Sequence, residues 1–504
     1  MSKSKRSSLH ALIQKLTKSE KRYFKVYASG LSGLDSSNYV ILFDLIESLK
    51  VYSDSGLYKI VKGKVFEKHL ASTKYQLQKL ILKTLRQYHE SSTVDIKMYE
   101  YMTNAGILMG KMLYADANSH YEKVIELGQK HERYNLVAEA VIARIDCLWL
   151  LMNTRPQTYM KVLSESFSIL EVNSTKNKIY YQYKFLMQIM ETQYIAVGGI
   201  RNDNDLKNFK QKVITGVDTA KVPEGSNSAS YYYFFYNAML RFVESDWEGC
   251  RKWLKQLIDL SNKVPYELKN NDGAQINVLY YYCLLCTLSG KWEEYYNYIE
   301  QLEGVKPKSL KDVIMKFEYL YYLKFSEGRD KLNWNNFEDT YAQFEASYEQ
   351  YRNSLEAQSH IGLLTQCVNY LINRKRYIEA EKWINIILIN NEFKKVRIDY
   401  HLVARICDII TVFERGKSEL LMYRIATTKK YLVNKDKTYK VEGKFVKYLP
   451  KIMKSKTVDD KLRLINNLRN ELDALFEDER QRRVLISFDY KAYINSLLEQ
   501  VHQN

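Results

Sequence analysis

Apolar residues recur along most of this 504-residue chain at three- and four-residue steps, the period of an amphipathic helix. In residues 74–90 the set Leu77, Leu80, Ile81, Leu85 and Tyr88 falls on one helical face. After residue 456, Thr457 stands as an N-cap with Asp459 and Asp460 in the first turn. Behind it Leu462, Ile465, Leu468, Leu472 and Leu475 line the apolar side of a second clear helix. A further stretch, "VLISFDYKAYINSLLEQ", predicts a last helix that covers the exposed end of the array. The breaks between such segments are short and polar. With 5 prolines and 19 glycines, few positions can interrupt a helix, so the pattern predicts an all-α chain with short connections. Pro156, Pro223, Pro265, Pro307 and Pro450 sit near polar stretches and are expected in the inter-helix turns.

The segments differ in kind along the chain. Residues 1–94 predict a small helical domain. "LHALIQKL" makes one helix, and Thr17 with Glu20 has the spacing of a capping box for the next. The Gly/Ser-rich "SGLSGLDSSN" ends that helix and "YVILFDLIESLK" makes a third. Two more are expected over about 58–69 and 74–90, separated by "LAST".

From residue 95 to 425 a repeated unit takes over. Four segments align: "GKMLYADANSHYEKVIEL", "VESDWEGCRKWLKQLIDL", "LSGKWEEYYNYIEQL" and "INRKRYIEAEKWINIILI". Each starts a helix with an aromatic: Tyr114, Trp247, Trp292 and Tyr377. Three residues on stand Ala117, Cys250, Tyr295 and Ala380; seven on stand Tyr121, Leu254, Ile299 and Ile384. Apolar Val124, Leu257, Leu302 and Ile387 follow at ten, which keeps the set on one face. Phe337 fits the same register, so Trp247, Trp292, Phe337 and Tyr377 lie about 45, 45 and 40 residues apart. Tyr159 and Leu206 would continue this spacing after Tyr114. The unit is a helical hairpin with an aromatic just past its turn.

Leu288, Gly290 and Trp292 in one unit, and Tyr377 and Ala380 in another, resemble the Leu-x-x-Gly-x-Tyr-x-x-Ala pattern of the tetratricopeptide-repeat family. The period is longer than that family's and the glycine is mostly replaced, so the resemblance is to a degenerate member. It implies hairpins stacked into an α-solenoid whose concave face binds a protein or peptide, and hence a non-enzymatic scaffold or adaptor. Residues 426–504 would supply a basic segment and the capping helices.

Charge adds an alternative. Of the net +17, about +10 falls within residues 1–90 and about +9 within 424–456, leaving the rest of the chain near neutral. Lys79, Lys83 and Arg86 make a basic stripe on the second helix of the 58–90 hairpin, the outline of a helix-turn-helix. Lys440, Lys444, Lys447 and Lys451 make a second basic contact patch. Either could meet nucleic acid, which makes a nucleic-acid-associated regulator the competing reading; lysine lacks the bidentate fork that marks phosphate recognition, which weakens it.

Candidate chemistry is sparse. The chain has no phosphate-binding glycine loop and no His-Glu-x-x-His, and its eight histidines form no i, i+4 pair. "RNDNDLKNF" has the acidity of a calcium loop without its glycine or terminal glutamate, and reads as a helix start. Cys283 and Cys286 form the one Cys-x-x-Cys, but inside an apolar helix and away from its N-terminus, so they are expected to be packing residues. No enzyme activity, metal or cofactor is expected. Six cysteines without a disulfide pattern, no signal peptide and no apolar run of about 20 residues predict a cytoplasmic protein without membrane insertion. Among the 43 tyrosines, the runs 231–233 and 280–282 point in several directions on a helix. They are expected to fill inter-helix gaps, with some hydroxyls reaching a groove or the surface.

Overall fold

A computed structural model describes residues 8–30, 34–49, 52–89, 93–152, 155–213, 223–263, 271–331, 337–433 and 439–503. Among them every regular element is a helix and there is no strand, so the fold is all-α. No helix among the described residues is long and apolar enough to cross a membrane. The chain divides into two units, Met1–Asn173 and Ser174–Asn504. Their boundary falls inside the helix Pro156–Val197, whereas the sequence pattern changes near residues 94 and 425.

The first unit opens with five helices, Ser8–Lys15, Lys18–Ser29, Leu34–Ser48, Asp54–Val61 and Leu70–Tyr88. Ile13, Phe24, Phe43, Leu57, Leu77 and Ile81 close a core between them. The capping box forms as its spacing dictates: the Glu20 amide donates to Thr17 Oγ1 and the Thr17 amide to Glu20 Oε2. The 58–90 hairpin is drawn differently from its expected outline. Its first helix ends at Val61, a single 3₁₀ turn covers Glu67–His69, and "LAST" is the opening turn of Leu70–Tyr88. Leu70 is buried, and Ala, Ser and Thr tolerate a helix start, so nothing in that stretch stops the helix. Val94–Gly110, Tyr114–Lys130 and Tyr134–Met152 then pack in sequence about Met98, Val124, Val137 and Ala140.

Where Tyr159 and Leu206 would have marked two further hairpins, the single 42-residue helix Pro156–Val197 runs instead, followed by Asp203–Val213. Pro156 opens the long helix, where its missing N–H costs nothing. Pro450, expected in a turn, lies inside Lys440–Lys454. The apolar face of that helix, Phe445, Leu449 and Ile452, is fully sheltered, and packing overrides the lost hydrogen bond.

In the second unit helices alternate between leading and following members of hairpins. Asn227–Glu244 pairs with Trp247–Lys263, Asp272–Leu288 with Trp292–Gly304, and Leu310–Lys331 with Phe337–Tyr351. Ala357–Asn373 pairs with Tyr377–Ile389, and Ile398–Glu414 with Ser418–Leu432. From Asp272–Leu288 onward, each leading helix also packs on the next leading helix, through to Lys440–Lys454. Val458–Phe476 and Tyr490–Gln503 follow. The last stretch departs from the expected helix: Arg483–Ile486 is a 3₁₀ turn and the α-helix begins only at Tyr490.

Candidate functional site

The turns that join five of the hairpins are built the same way. Met112, Ser245, Gly290, Lys375 and Gly416 all have positive φ, each two residues before the following helix begins. At each, the next amide reaches back five residues: Leu113 to Leu108, Asp246 to Arg241, Lys291 to Cys286, Arg376 to Leu371 and Lys417 to Val412. This is the Schellman closure, which satisfies the last carbonyls of the leading helix and fixes where the following helix starts. Gly290 adopts φ +67° without strain, whereas Met112, Ser245 and Lys375 take the same region with a side chain.

Immediately past these turns stand Tyr114, Trp247, Trp292 and Tyr377; they and Phe337 are each the first residue of a helix and each half-buried. The positions three on, Ala117, Cys250, Tyr295 and Ala380, are buried, as are Tyr121, Leu254, Ile299 and Ile384. All of these therefore serve hairpin packing. Tyr295, fully enclosed, donates its hydroxyl to the Leu323 carbonyl of the next leading helix. Cys283 and Cys286 are likewise enclosed, and burial pushes the Cys286 thiol up to about 12, which leaves it protonated and inert at neutral pH.

The leading helices are buried on more sides than their partner helices can cover. In Ala357–Asn373 every residue from 360 to 372 is buried. A helix enclosed all round needs cover on both faces, and the second cover comes from the chain itself. One part is the end of the long helix. Tyr183 meets Tyr233 edge-on at 5.2 Å, and Arg397 stacks on Tyr194 and Tyr400. The Arg397 amide donates to the Ile195 carbonyl, and Gly198 lies where a Cβ would come within 2.8 Å of Asp399 Oδ1. Asp399 pairs with both arms of Arg397, at 3.0 and 2.8 Å. Burial opposes its ionisation, but the adjacent guanidinium holds the carboxyl below its usual range.

The other part is the irregular segment 478–489. Asn369 Nδ2 donates to the Ser487 carbonyl at 2.5 Å, Gln366 Nε2 to the Ile486 carbonyl at 3.0 Å, and Arg329 to that same carbonyl. Gln366 and Asn369, three apart, share one helical face. In the opposite sense, Arg483 donates to the Val243 and Phe242 carbonyls at 2.9 and 3.0 Å, and lies over the Phe242 and Trp247 rings. A cation at those final carbonyls is favoured by the helix dipole. Arg201 closes the arrangement in a buried ion pair with Glu442, at 3.1 Å. Burial nevertheless pushes the Glu442 carboxyl up from its ordinary value.

The tyrosine runs serve the same interior. None of the residues 231–233 and 280–282 is exposed, because the long helix and the neighbouring leading helices shelter successive positions. Tyr280 stacks on Tyr319 at 3.9 Å, and beside them Glu318 accepts from Ser359 at 2.6 Å. Burial raises the Glu318 carboxyl to about 7, with the Glu356 charge adding to the effect.

The basic patches differ in character. Lys79, Lys83 and Arg86 are all exposed on Leu70–Tyr88, Lys79 lying 4.6 Å from the exposed Tyr75 ring. On Lys440–Lys454, Lys440, Lys447 and Lys451 are exposed and Lys444 is half-buried; Lys444 and Lys447 both pair with Glu471 of the next helix, which also accepts from Tyr448. Lys444 and Tyr448 draw the Glu471 carboxyl down to about 2.

Sequence patterning located the hairpin positions and missed Arg201, Arg329, Gln366, Asn369, Glu442 and Arg483. The available signal was a polar residue inside an apolar run, as in "GLLTQCVNYLI", where a buried amide must find a partner. Comparison with protein-family models, curated proteins and solved structures finds no match to the chain.

Proposed function

We propose that the chain is a non-enzymatic interaction scaffold, a degenerate tetratricopeptide-like α-solenoid that binds a protein or peptide along its leading helices. One observation carries this reading: side chains of successive leading helices hold main-chain carbonyls where a 3₁₀ turn ends, through Arg329, Gln366 and Asn369. Such bonds hold main-chain carbonyls and leave the side chains free to set specificity. The test is affinity capture with the full chain against a Gln366→Ala/Asn369→Ala control, both checked for unchanged helicity. A partner retained by the first and lost by the second supports the scaffold. Equal retention by both sinks it.

A second reading, nucleic-acid binding by the first unit, is favoured by the exposed stripe Lys79, Lys83 and Arg86 beside the exposed Tyr75. Duplex and single-stranded probes titrated with salt would decide. Changing all three to Glu should abolish binding and its steep salt dependence.

A further inference from the structure

We infer that Glu191, Glu318 and Glu356, with Tyr231, Tyr281 and Tyr319, form a seat for an alkylammonium group, the head of a lysine side chain or of a free polyamine. The inference goes beyond the scaffold reading and does not depend on it.

The residues come from several elements of the second unit. Glu191 lies near the end of the long helix, Tyr231 on Asn227–Glu244 and Tyr281 on Asp272–Leu288. Glu318 and Tyr319 lie on Leu310–Lys331, and Glu356 is the residue before Ala357–Asn373. Ring contacts tie the tyrosines into one layer. Tyr231 and Tyr281 both meet Phe235, at 6.0 and 5.3 Å, while Tyr280 meets Tyr281 at 5.1 Å and stacks on Tyr319. Burial is the first cause that raises the hydroxyls of Tyr231, Tyr281 and Tyr319, and the Glu191 charge adds to it at all three. One carboxylate therefore lies close to three hydroxyls.

No cation of the described residues pairs with Glu191, Glu318 or Glu356. The Glu356 charge, after burial, opposes ionisation of both Glu191 and Glu318. The cations that reach the tyrosine layer are engaged elsewhere, Arg397 with Asp399 and Lys184 with Tyr180.

Open acceptors point to a ligand that carries donors. Tyr231 is 7% exposed, and its hydroxyl makes no hydrogen bond among the described residues. One turn before Tyr281, on the same helical face, Asn277 Oδ1 is buried without a partner. An ammonium brings three donors and a positive charge, which answer the carboxylates and the hydroxyl oxygens together, and aromatic rings favour it as a neighbour. A metal ion fits less well, because among the described residues no three His, Cys, Asp or Glu side chains stand close enough to hold one. The cluster is open to solvent on one side: Glu356 is exposed, and Glu191, Tyr281 and Tyr319 are half-buried.

The experiment titrates three probes into the full chain by calorimetry: spermidine, a blocked pentapeptide with one central lysine among glycines, and magnesium ion. The net charge of +17 opposes diffuse attraction of cations, so saturable binding reports a site. Spermidine or the peptide should saturate, and Glu191→Gln, with helicity unchanged, should weaken it at least tenfold. Tyr231→Phe should weaken it about threefold. Glu318 gives a second readout, since its ionised form is the one that meets the cation; Glu356 and Ser359 face it, with Glu191 beyond Tyr319. Peptide binding should tighten about tenfold from pH 6 to pH 8 in the natural chain, and clearly less in Glu318→Gln. Tighter binding of the peptide assigns the ammonium to a side chain, and tighter binding of spermidine to a free amine; either supports the seat. No saturable binding of either, equal binding by natural chain and Glu191→Gln, or competition by magnesium at equal concentration overturns it. Should a glutamine variant not fold, Tyr231→Phe and the pH dependence of the natural chain decide.

Discussion

Arg201 and Gln481, 280 residues apart in sequence, bond reciprocally: Gln481 Nε2 donates to the Arg201 carbonyl at 2.8 Å, and Arg201 Nη1 to the Gln481 carbonyl at 3.4 Å. The same guanidinium pairs with Glu442, and neither charge reaches solvent appreciably. Removing one member strands the other. Arg201→Met should therefore lose about 3–5 kcal/mol in urea unfolding. Combining it with Glu442→Leu should recover at least half, because two apolar groups replace two desolvated charges. Equal losses in the single and double variants would refute this account.

The shared hairpin turn predicts opposite outcomes for opposite substitutions. Gly290→Ala forces a side chain into left-handed backbone and should cost about 1 kcal/mol. Lys375→Gly relieves the same strain at an equivalent position and should gain about 0.5 kcal/mol after its entropy cost in the unfolded chain. Thermal melts of the two variants against the natural chain check both signs.

Glu318 makes stability depend on pH. Its folded value of about 7 lies above the 4.5 of an unperturbed glutamate. The protonated form is the one the fold favours, so the contribution is full below about 4.5 and is lost as pH rises through about 7. Glu318→Gln keeps an acceptor for Ser359 without a charge. It should be more stable than the natural chain above pH 7, by no more than about 3 kcal/mol, with the difference vanishing near pH 4.5. Melting temperatures across that range give the measurement.

All six cysteines are free and buried, and burial pushes Cys250 and Cys286 up to about 12. At pH 8 the folded chain should react negligibly with a disulfide reagent. Six thiols should become reactive in denaturant. Rapid reaction of any thiol in the folded state would show an opening that the packing does not predict.

What patterning reveals here is local. The first residues of five following helices, from Tyr114 to Tyr377, could be placed because an aromatic after a turn and its buried sequels recur within 11 residues. The capping box at Thr17 and the N-cap at Thr457 were legible for the same reason. The long helix Pro156–Val197 was not, since its exposed Met160 and Phe167 interrupt the amphipathic period. Nor was the break from α-helix at 483–489. "VLISFD" carries good apolar spacing, and what holds it out of the α form is Arg329, Gln366 and Asn369, each more than 110 residues away. Pairings at that distance leave no periodic trace.

The position of 478–489 late in the chain sets an order of events during synthesis. Arg201 and Phe242 emerge first, and their partners Gln481 and Arg483 follow roughly 240 to 280 residues later, which is tens of seconds of translation. Hairpins close from local contacts as they appear, but the leading helices wait with one side uncovered until the last residues arrive. Gln366 and Asn369 emerge partway through it, and their amides wait about 120 further residues for the Ile486 and Ser487 carbonyls.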